Sequence, residues 1–342
     1  IDAAAAWFWL RWLKARDVYS VKKGQRRAVP VFFVFGLLAA PFSFLIYELN
    51  PYDPLAWSWT SYYFLVNAPS EELAKFLVFL CVAKASGSVK DPLDAAVQGA
   101  SVGLGFAVAE NVLYAFGVTP LQMIVRCLVA LAGHGAWTAV SAFSWGAADY
   151  YLGRERRRGA WGYTSLGLCL AAAGHACYNS LGELGRGSLV LRLGLAGLYF
   201  ALLSAALSDG RRLSPYYGFP LEDWAKAVVH LDYGLDRDPG NWVLFQRRGL
   251  YLLRGGYVKD AAEDFQAAVA RGGGAWPRAW LAAALRLEGL AEGGELEAAL
   301  GALDPAPGAT GAASSGAAPG AASAARGDAG GAREARALAA FL

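Results

Sequence analysis

The sequence predicts an all-α membrane protein, in which a polytopic bundle of transmembrane helices precedes a small helical-repeat domain. Hydrophobic residues make up 56% of the 342 residues and charged residues only 17%, well to the apolar side of a soluble domain. Long apolar stretches fill the chain up to residue 207, and residues 211–297 then have the charge density of a soluble protein. The net charge of +3 is too small to indicate nucleic-acid binding, so that class is excluded.

Six segments are long and apolar enough for a membrane-spanning helix, which requires about 20 residues. Basic loops alternate with acidic or neutral loops between them, which places the basic loops and the C-terminal region in the cytoplasm. We therefore expect a six-span core within residues 28–208 of the lipid bilayer. The predicted spans are residues 29–47, 57–83, 93–116, 121–148, 161–181 and 189–207.

Three further regions flank this core. Residues 1–27 are expected to hold the end of a truncated span and a basic cytoplasmic segment, with an interfacial helix as the alternative to the span. Residues 215–303 resemble tetratricopeptide (TPR) helical repeats, because Trp242 recurs as Trp276 at the 34-residue period of such repeats. An unrelated helical hairpin is the alternative, and a repeat array would offer a surface to a cytoplasmic protein partner. Residues 304–342, rich in Ala and Gly, are expected to be a disordered tail.

Ionisable residues inside the predicted spans are the strongest functional signal. The second span contains Glu71, Glu72 and Lys75 after Pro69, and each charge in hydrocarbon costs about 2.5–3.5 kcal/mol on insertion scales. Glu71 and Lys75 are four residues apart and are predicted to pair, which leaves Glu72 available. Pro69 is expected to kink the helix just before the glutamates. The alternative is a pair of shorter re-entrant segments.

Later spans add a second set of polar residues. Glu110 and Asn111 lie within the third span, where the alternative to a catalytic role for Glu110 is a packing partner for Arg126. His134 and His175 lie in the next two spans, and Asn179 shares a helix face with His175. The third histidine of the chain, His230, is expected to be a surface or packing residue of the repeat domain.

Hydrolysis of a peptide bond needs a base that activates water, a group that stabilises the oxyanion and an acid for the leaving nitrogen. Two glutamate sites, two histidines and an asparagine can supply all three. A zinc version would use Glu110, His134 and His175 as ligands and Glu71 as the base. The sequence has no HExxH, no serine motif of the GxSxG type beside the histidines, and no pair of intramembrane aspartates.

These residues resemble the motifs of the PrsW family of intramembrane proteases. Glu71-Glu72-Leu73-Ala74-Lys75 is similar to the EExxK motif of that family, and Phe106 to Glu110 with Asn111 is similar to its FxxxE(N) motif. His134 and the pair His175 and Asn179 resemble its later histidine motifs. The resemblance covers roughly residues 10–207 and extends to the wider group of CAAX-prenyl and bacteriocin-processing proteases.

The resemblance implies a hydrolase of the bacterial inner membrane that cleaves membrane proteins, with anti-sigma factors as the associated clients. Glu71 or Glu72 would activate water, and Glu110, His134, His175 and Asn179 would complete the site. It leaves open whether zinc is bound or whether glutamate acts without a metal. Two other classes stay open: a transporter, which also has buried ionisable residues, and a non-catalytic membrane scaffold that presents TPR helices.

Overall fold

The computed structural model describes residues 2–19, 27–49, 58–151 and 157–287. These residues form helices joined by short connections, and no strand occurs among them. The chain divides into two compact units, residues 1–217 and 218–342. The predicted all-α fold is therefore confirmed. The predicted tail at 304–342 lies outside the described residues.

The described part of the first unit is built from helices α1 to α9. Their bounds are α1 Asp2–Arg16, α2 Ala28–Glu48, α3 Trp59–Tyr62, α4 Ala68–Ser86, α5 Pro92–Tyr114, α6 Pro120–Val125, α7 Leu131–Tyr151, α8 Arg157–Glu183 and α9 Leu189–Leu213. Two π-helical turns make α3 continuous with α4 and α6 continuous with α7. They are Tyr63–Asn67 and Arg126–Ala130.

Helix α5 is the axis of this unit, because every residue from 92 to 107 is buried. A Cβ atom added at Gly105 would collide with the backbone of α2 at Phe33, and one added at Gly103 would collide with the backbone of α7 at His134. Glycine at these positions lets the helix backbones approach more closely than any side chain would allow. Helix α5 is therefore fixed between α2 and α7.

The start of α5 is also tied to the end of α9. Asp91 caps α5 by accepting a hydrogen bond from the Asp94 N–H at 3.0 Å. The hydroxyl of Ser214, which follows α9 directly, donates to the second oxygen of Asp91 at 2.6 Å. Both side chains are buried, so the contact anchors the last helix of the unit to its axis.

The first π turn lies where the sequence predicts a kink. The N–H of Ala68 donates to the carbonyl of Tyr63, five residues earlier rather than four. Pro69 follows at once, and proline has no N–H to continue a regular α-helical ladder. The second π turn has the same form, with the N–H of Leu131 donating to the carbonyl of Arg126. Both turns lie beside the polar residues described below.

Four helices of the described residues are long and apolar enough to cross a membrane by length and composition. They are Ala28–Glu48, Pro92–Tyr114, Pro120–Tyr150 and Leu189–Leu213. Large apolar side chains such as Val34 and Leu38 on α2 and Val190 on α9 are exposed, as lipid-facing residues are. The chain is thus a multi-pass membrane protein. The other two predicted spans correspond to α3–α4 and to α8. Glu71, Glu72 and Lys75 lower the hydropathy of α4. The count of six spans therefore stays a prediction.

The described part of the second unit consists of four helices of similar length, in which neighbours in sequence pack together. They are α10 Trp224–Arg237, α11 Trp242–Arg254, α12 Val258–Ala270 and α13 Ala275–Leu287. Phe265 and Trp280 stack in the core, and a Cβ atom at Gly249 would meet the Phe265 ring at 2.8 Å. Arg248 joins the helices by donating to Asp264 at 2.6 and 2.7 Å and to Asp232 at 2.6 Å. The assignment of these helices to the TPR class stays a prediction.

Candidate active site

Helix α4 supplies three of the predicted site residues within one turn. Glu71, Glu72 and Lys75 are all buried, and the side chains of Glu72 and Lys75 have no exposed surface. Charged side chains without solvent require close partners, because desolvation otherwise costs several kcal/mol per ion. The partners of these three residues define the site.

Lys75 pairs with Glu72, not with Glu71 as the sequence predicted. The ammonium of Lys75 donates to Oε1 of Glu72, and the same oxygen lies 2.9 Å from Nδ1 of His175. Residues three apart on a helix are neighbours as well as residues four apart, so spacing alone does not select the partner. The prediction was wrong because His134 and His175, which come from other helices, draw Lys75 and Glu72 together.

Glu71 is the carboxylate that remains available. Its Oε1 accepts hydrogen bonds from the Tyr47 hydroxyl at 2.6 Å and from the Asn67 amide at 2.8 Å. Its Oε2 is buried and has no hydrogen-bond partner, and it lies 3.7 Å from Nε2 of His175. Asn179 reaches this carboxylate indirectly, because its amide donates to Oδ1 of Asn67 at 2.8 Å.

The two histidines lie side by side between the carboxylates. Their ring centroids are 4.8 Å apart with an angle of 78° between the planes. The ring of His175 also stacks on Trp137, with a centroid distance of 4.4 Å and an angle of 11°. Both side chains are buried, so helices α7 and α8 hold the imidazoles in fixed orientations.

The contacts of Lys75 assign the tautomer of His134. Nδ1 of His134 is 3.0 Å from the Lys75 ammonium, and Nε2 is 3.1 Å from Oε2 of Glu110. An ammonium group only donates hydrogen bonds, so Nδ1 accepts and Nε2 carries the proton that faces Glu110. In His175 the proton lies on Nδ1, because this nitrogen faces the carboxylate of Glu72. Its Nε2 has no proton and faces Glu71. Besides Glu72 and His134, the Lys75 ammonium contacts the Phe106 ring, and its Nζ lies 4.5 Å from the ring centroid.

Glu110 touches both His134 and Arg126. Nη2 of Arg126 donates to the same Oε2 at 2.9 Å, and Nε of Arg126 donates to Oδ1 of Asn111 at 3.0 Å. Asn111 itself turns away from the histidines, because its amide donates to Asp2 at 2.9 Å. Glu110 therefore contacts both His134 and Arg126, the residue that the sequence analysis gave as its alternative partner.

Three of the donor residues form a candidate metal site. Single ligand atoms of Glu71, His134 and His175 lie within 4.8 Å of one another in a buried setting. Ligand atoms around a tetrahedral zinc with bonds of about 2.0–2.1 Å lie roughly 3.3 Å apart. The three side chains would therefore have to move closer, and His134 would exchange its contact with Lys75 or Glu110 for the metal. Glu110 is not in this group of three, although it contacts Nε2 of His134. Its role as a ligand with the two histidines stays a prediction.

Comparison with known proteins identifies the family of the first unit. The profile of the family described as "PrsW family intramembrane metalloprotease" matches residues 24–207, more than half of the chain. The chain belongs to the PrsW family. The family that the motifs predicted is thereby confirmed, and the matched residues include every predicted site residue. The second unit lies outside them.

Curated relatives agree with this assignment. The chain is 32% identical over 144 residues to Protease PrsW of Geobacillus kaustophilus, covering 40% of this chain and 64% of that protein. It is 31% identical over 140 residues to Protease PrsW of Shouchella clausii, covering 40% and 62%, and 28% identical over 148 residues to that of Bacillus subtilis, covering 43% and 66%. The chain thus spans just under two thirds of each relative's length. No solved structure matches it.

Three side chains at this PrsW-family site are absent from the sequence prediction. Asn67 lies one helical turn before Glu71, so the same i, i+4 spacing that was applied to Lys75 would have found it. Tyr47 and Trp137 come from α2 and α7, and aromatic residues are too common in spans to mark a site. Only the packing of the helices reveals these two contacts.

Proposed function

We propose that the protein is an intramembrane endopeptidase that hydrolyses peptide bonds of membrane proteins. Membership of the PrsW family supports this activity. The cluster of buried Glu71, Glu72, Lys75, His134 and His175 with half-buried Glu110 supports it independently, because charged groups inside a membrane are costly and are kept where they have a function.

The observation that carries the proposal is the free oxygen of Glu71. Oε2 of this carboxylate is buried and unpaired, while Oε1 is held by Tyr47 and Asn67. A carboxylate fixed through one oxygen and open at the other is suited to take a proton from water. Oε2 of Glu72 is likewise buried without a hydrogen bond, but Glu72 is less suited as a base because the adjacent Lys75 ammonium neutralises its charge.

In the proposed reaction, Glu71 removes a proton from water as the water oxygen bonds to the scissile carbonyl carbon. The Nε2–H of His134 would donate to the oxyanion that forms, and His175, whose Nδ1–H faces Glu72, would accept a hydrogen bond from the water at Nε2. Glu71 then returns the proton to the leaving nitrogen as the C–N bond breaks. Glu72 and Lys75 hold the two rings in the required tautomers.

A zinc ion would be held by His134 and His175 with Glu110, and Glu71 is close enough to contribute an oxygen. When bound, zinc would polarise the water and the scissile carbonyl. The family description names a metalloprotease, which favours this form over one in which glutamate acts without a metal.

The clients and the cellular setting are part of the proposal. Resemblance to PrsW proteases favours single-span membrane proteins of the anti-sigma-factor type in a bacterial inner membrane. The alternation of basic loops favours a cytoplasmic second unit. That unit, built from paired helices, would bind a cytoplasmic protein and so bring particular clients to the membrane unit.

The test is cleavage of candidate single-span membrane proteins in proteoliposomes. Glu71→Gln, Glu110→Gln and His175→Ala should each abolish cleavage, whereas the matched controls Glu183→Gln and His230→Ala should retain it. Glu183 accepts a hydrogen bond from Tyr63 at an exposed position, and His230 lies in the second unit. Cleavage that survives all three site variants would refute the mechanism. Failure of the native chain on every client would favour a transporter or a scaffold.

A further inference from the structure

Arg126 lies at the edge of the site and contacts two consecutive residues of α5. Its Nη2 donates to Oε2 of Glu110 at 2.9 Å, and its Nε donates to Oδ1 of Asn111 at 3.0 Å. The guanidinium also stacks on Tyr114, at 3.9 Å from the ring centroid. A planar guanidinium held at two edges and one face has little freedom to turn, so its position is well defined.

The oxygen that Arg126 binds is also the oxygen that faces the catalytic histidine. Oε2 of Glu110 lies 2.9 Å from Nη2 of Arg126 and 3.1 Å from Nε2 of His134. Arg126 is 22% exposed and Glu110 15% exposed, whereas His134 is buried. The arginine therefore approaches the carboxylate from the outer side and the histidine approaches it from within.

The second π turn aligns Arg126 with His134. The two residues are eight apart, and in a regular α-helix they would point about 80° away from each other. The turn Arg126–Ala130 contains one extra residue, so the separation is equivalent to about seven residues and the difference falls to roughly 20°. The irregular turn thus puts both side chains on the face that meets Glu110.

We infer that Arg126 is a positioning residue, which holds the carboxylate of Glu110 against Nε2 of His134. The expected effect of Arg126 on cleavage rests on the proposed function, whereas its contact with Glu110 is independent of that function. Without the arginine, the Glu110 carboxylate would be free to turn toward the outer surface, and His134 would lose the acceptor for its Nε2 proton. A residue that only neutralises charge could be replaced fully by lysine, which keeps the charge but not both contacts to α5.

The test uses the full chain, freed of bound metal with a chelator, in lipid nanodiscs with ¹⁵N-labelled histidine. The chain has three histidines, so the spectrum contains only three pairs of ring nitrogens. Arg126→Gln should shift the signals of the His134 ring, assigned by their loss in His134→Ala, and should leave those of His230 in the second unit unchanged. Glu110→Gln should move the same ring, and the double variant should show no further change. Arg192→Gln removes an arginine that stacks on Tyr178 instead and is the matched control.

Cleavage by the same variants supplies the second readout. Arg126→Gln should lower kcat about 10- to 100-fold with KM within about twofold, as expected for a misplaced catalytic group. Arg126→Lys should restore part of the loss, because lysine keeps the charge but cannot contact both α5 residues at once. An unshifted His134 ring in Arg126→Gln would overturn the inference. If the native chain cleaves nothing, the proposed function fails while the spectrum still decides the role of Arg126.

Discussion

Replacing Lys75 with methionine should lower the free energy of unfolding of the membrane unit by about 3–5 kcal/mol. Lys75 and Glu72 have no exposed side-chain surface, so the substitution leaves the Glu72 carboxylate buried without its cation. Removal of one partner from a buried ion pair typically has this cost. Methionine is similar in length to lysine, so the loss is electrostatic rather than a cavity effect.

A second substitution separates the electrostatic loss of stability in Lys75→Met from any effect on packing. Glu72→Gln alone should also destabilise the unit, because it leaves the Lys75 charge without its carboxylate. The double variant Lys75→Met/Glu72→Gln buries no charge, and its glutamine oxygen can still accept from Nδ1 of His175 at the 2.9 Å position. We expect it to recover most of the loss, which gives a coupling energy of about 3–5 kcal/mol between the two positions.

The assay is reversible unfolding in mixed micelles, followed by circular dichroism for the four proteins of the cycle. Lys84→Met is the matched control, because Lys84 belongs to the same helix but is exposed and stacks on Trp145. It should change the free energy of unfolding by less than about 1 kcal/mol. Additive effects in the double variant, or a cost below about 1 kcal/mol for Lys75→Met, would refute a desolvated ion pair at this position.

Three further predictions concern the site and its support. Tyr47→Phe should lower kcat about 3- to 30-fold and cost about 1 kcal/mol of stability, since the available carboxylate loses its 2.6 Å donor; kinetics in proteoliposomes and unfolding measure both effects. Gly105→Ala should cost about 1–3 kcal/mol of unfolding free energy by forcing α2 away from α5. The native chain should bind one zinc by elemental analysis, and both His175→Ala and chelator treatment should remove the metal and the cleavage.

Each of these predictions has a control and a contradicting result. Tyr199→Phe loses a 2.7 Å hydrogen bond to the Leu170 carbonyl and should match the stability loss of Tyr47→Phe without the loss of kcat. Equal kcat losses in the two variants would contradict the role of Tyr47. Gly197→Ala, which has no neighbour within 4 Å, should be neutral or stabilising, and an equally tolerated Gly105→Ala would contradict the close helix contact. Full cleavage by metal-free protein would assign the glutamate-only mechanism.

The residues of the site could be named from the sequence because ionisable side chains are rare in apolar spans, where each one raises the free energy of membrane insertion. Glu71, Glu72, Glu110, His134 and His175 interrupt apolar stretches, and the structure brings all five into one cluster, in which only Glu110 is partly exposed. Helical periodicity likewise indicated that Asn179 faces the same way as His175. The fold class followed from hydropathy alone, since only helices satisfy their own backbone in such segments.

The partners within the site could not be predicted in the same way. Lys75 was assigned to Glu71, yet it binds Glu72, because the choice between spacings of three and four is made by His134 and His175 from other helices. The two π turns also escaped prediction, since one extra residue in a helical turn leaves no clear trace in hydropathy. Contacts of this kind depend on how distant segments pack.

The close glycine contacts of α5 bear on how a substrate reaches the catalytic groups. An extended peptide backbone needs room beside Glu71, yet α2 and α7 meet α5 backbone against backbone and cannot separate without losing that contact. Helix α4 has no glycine, and it packs on its neighbours through side chains such as Phe76 and Phe79. Its side chains are also tied to Tyr47 on α2, His134 on α7 and His175 on α8, so a displacement of α4 would break these buried contacts. In the proposed reaction, a client that entered by displacing α4 would therefore separate Glu71 from the histidines, and the site would be complete again only after α4 had returned.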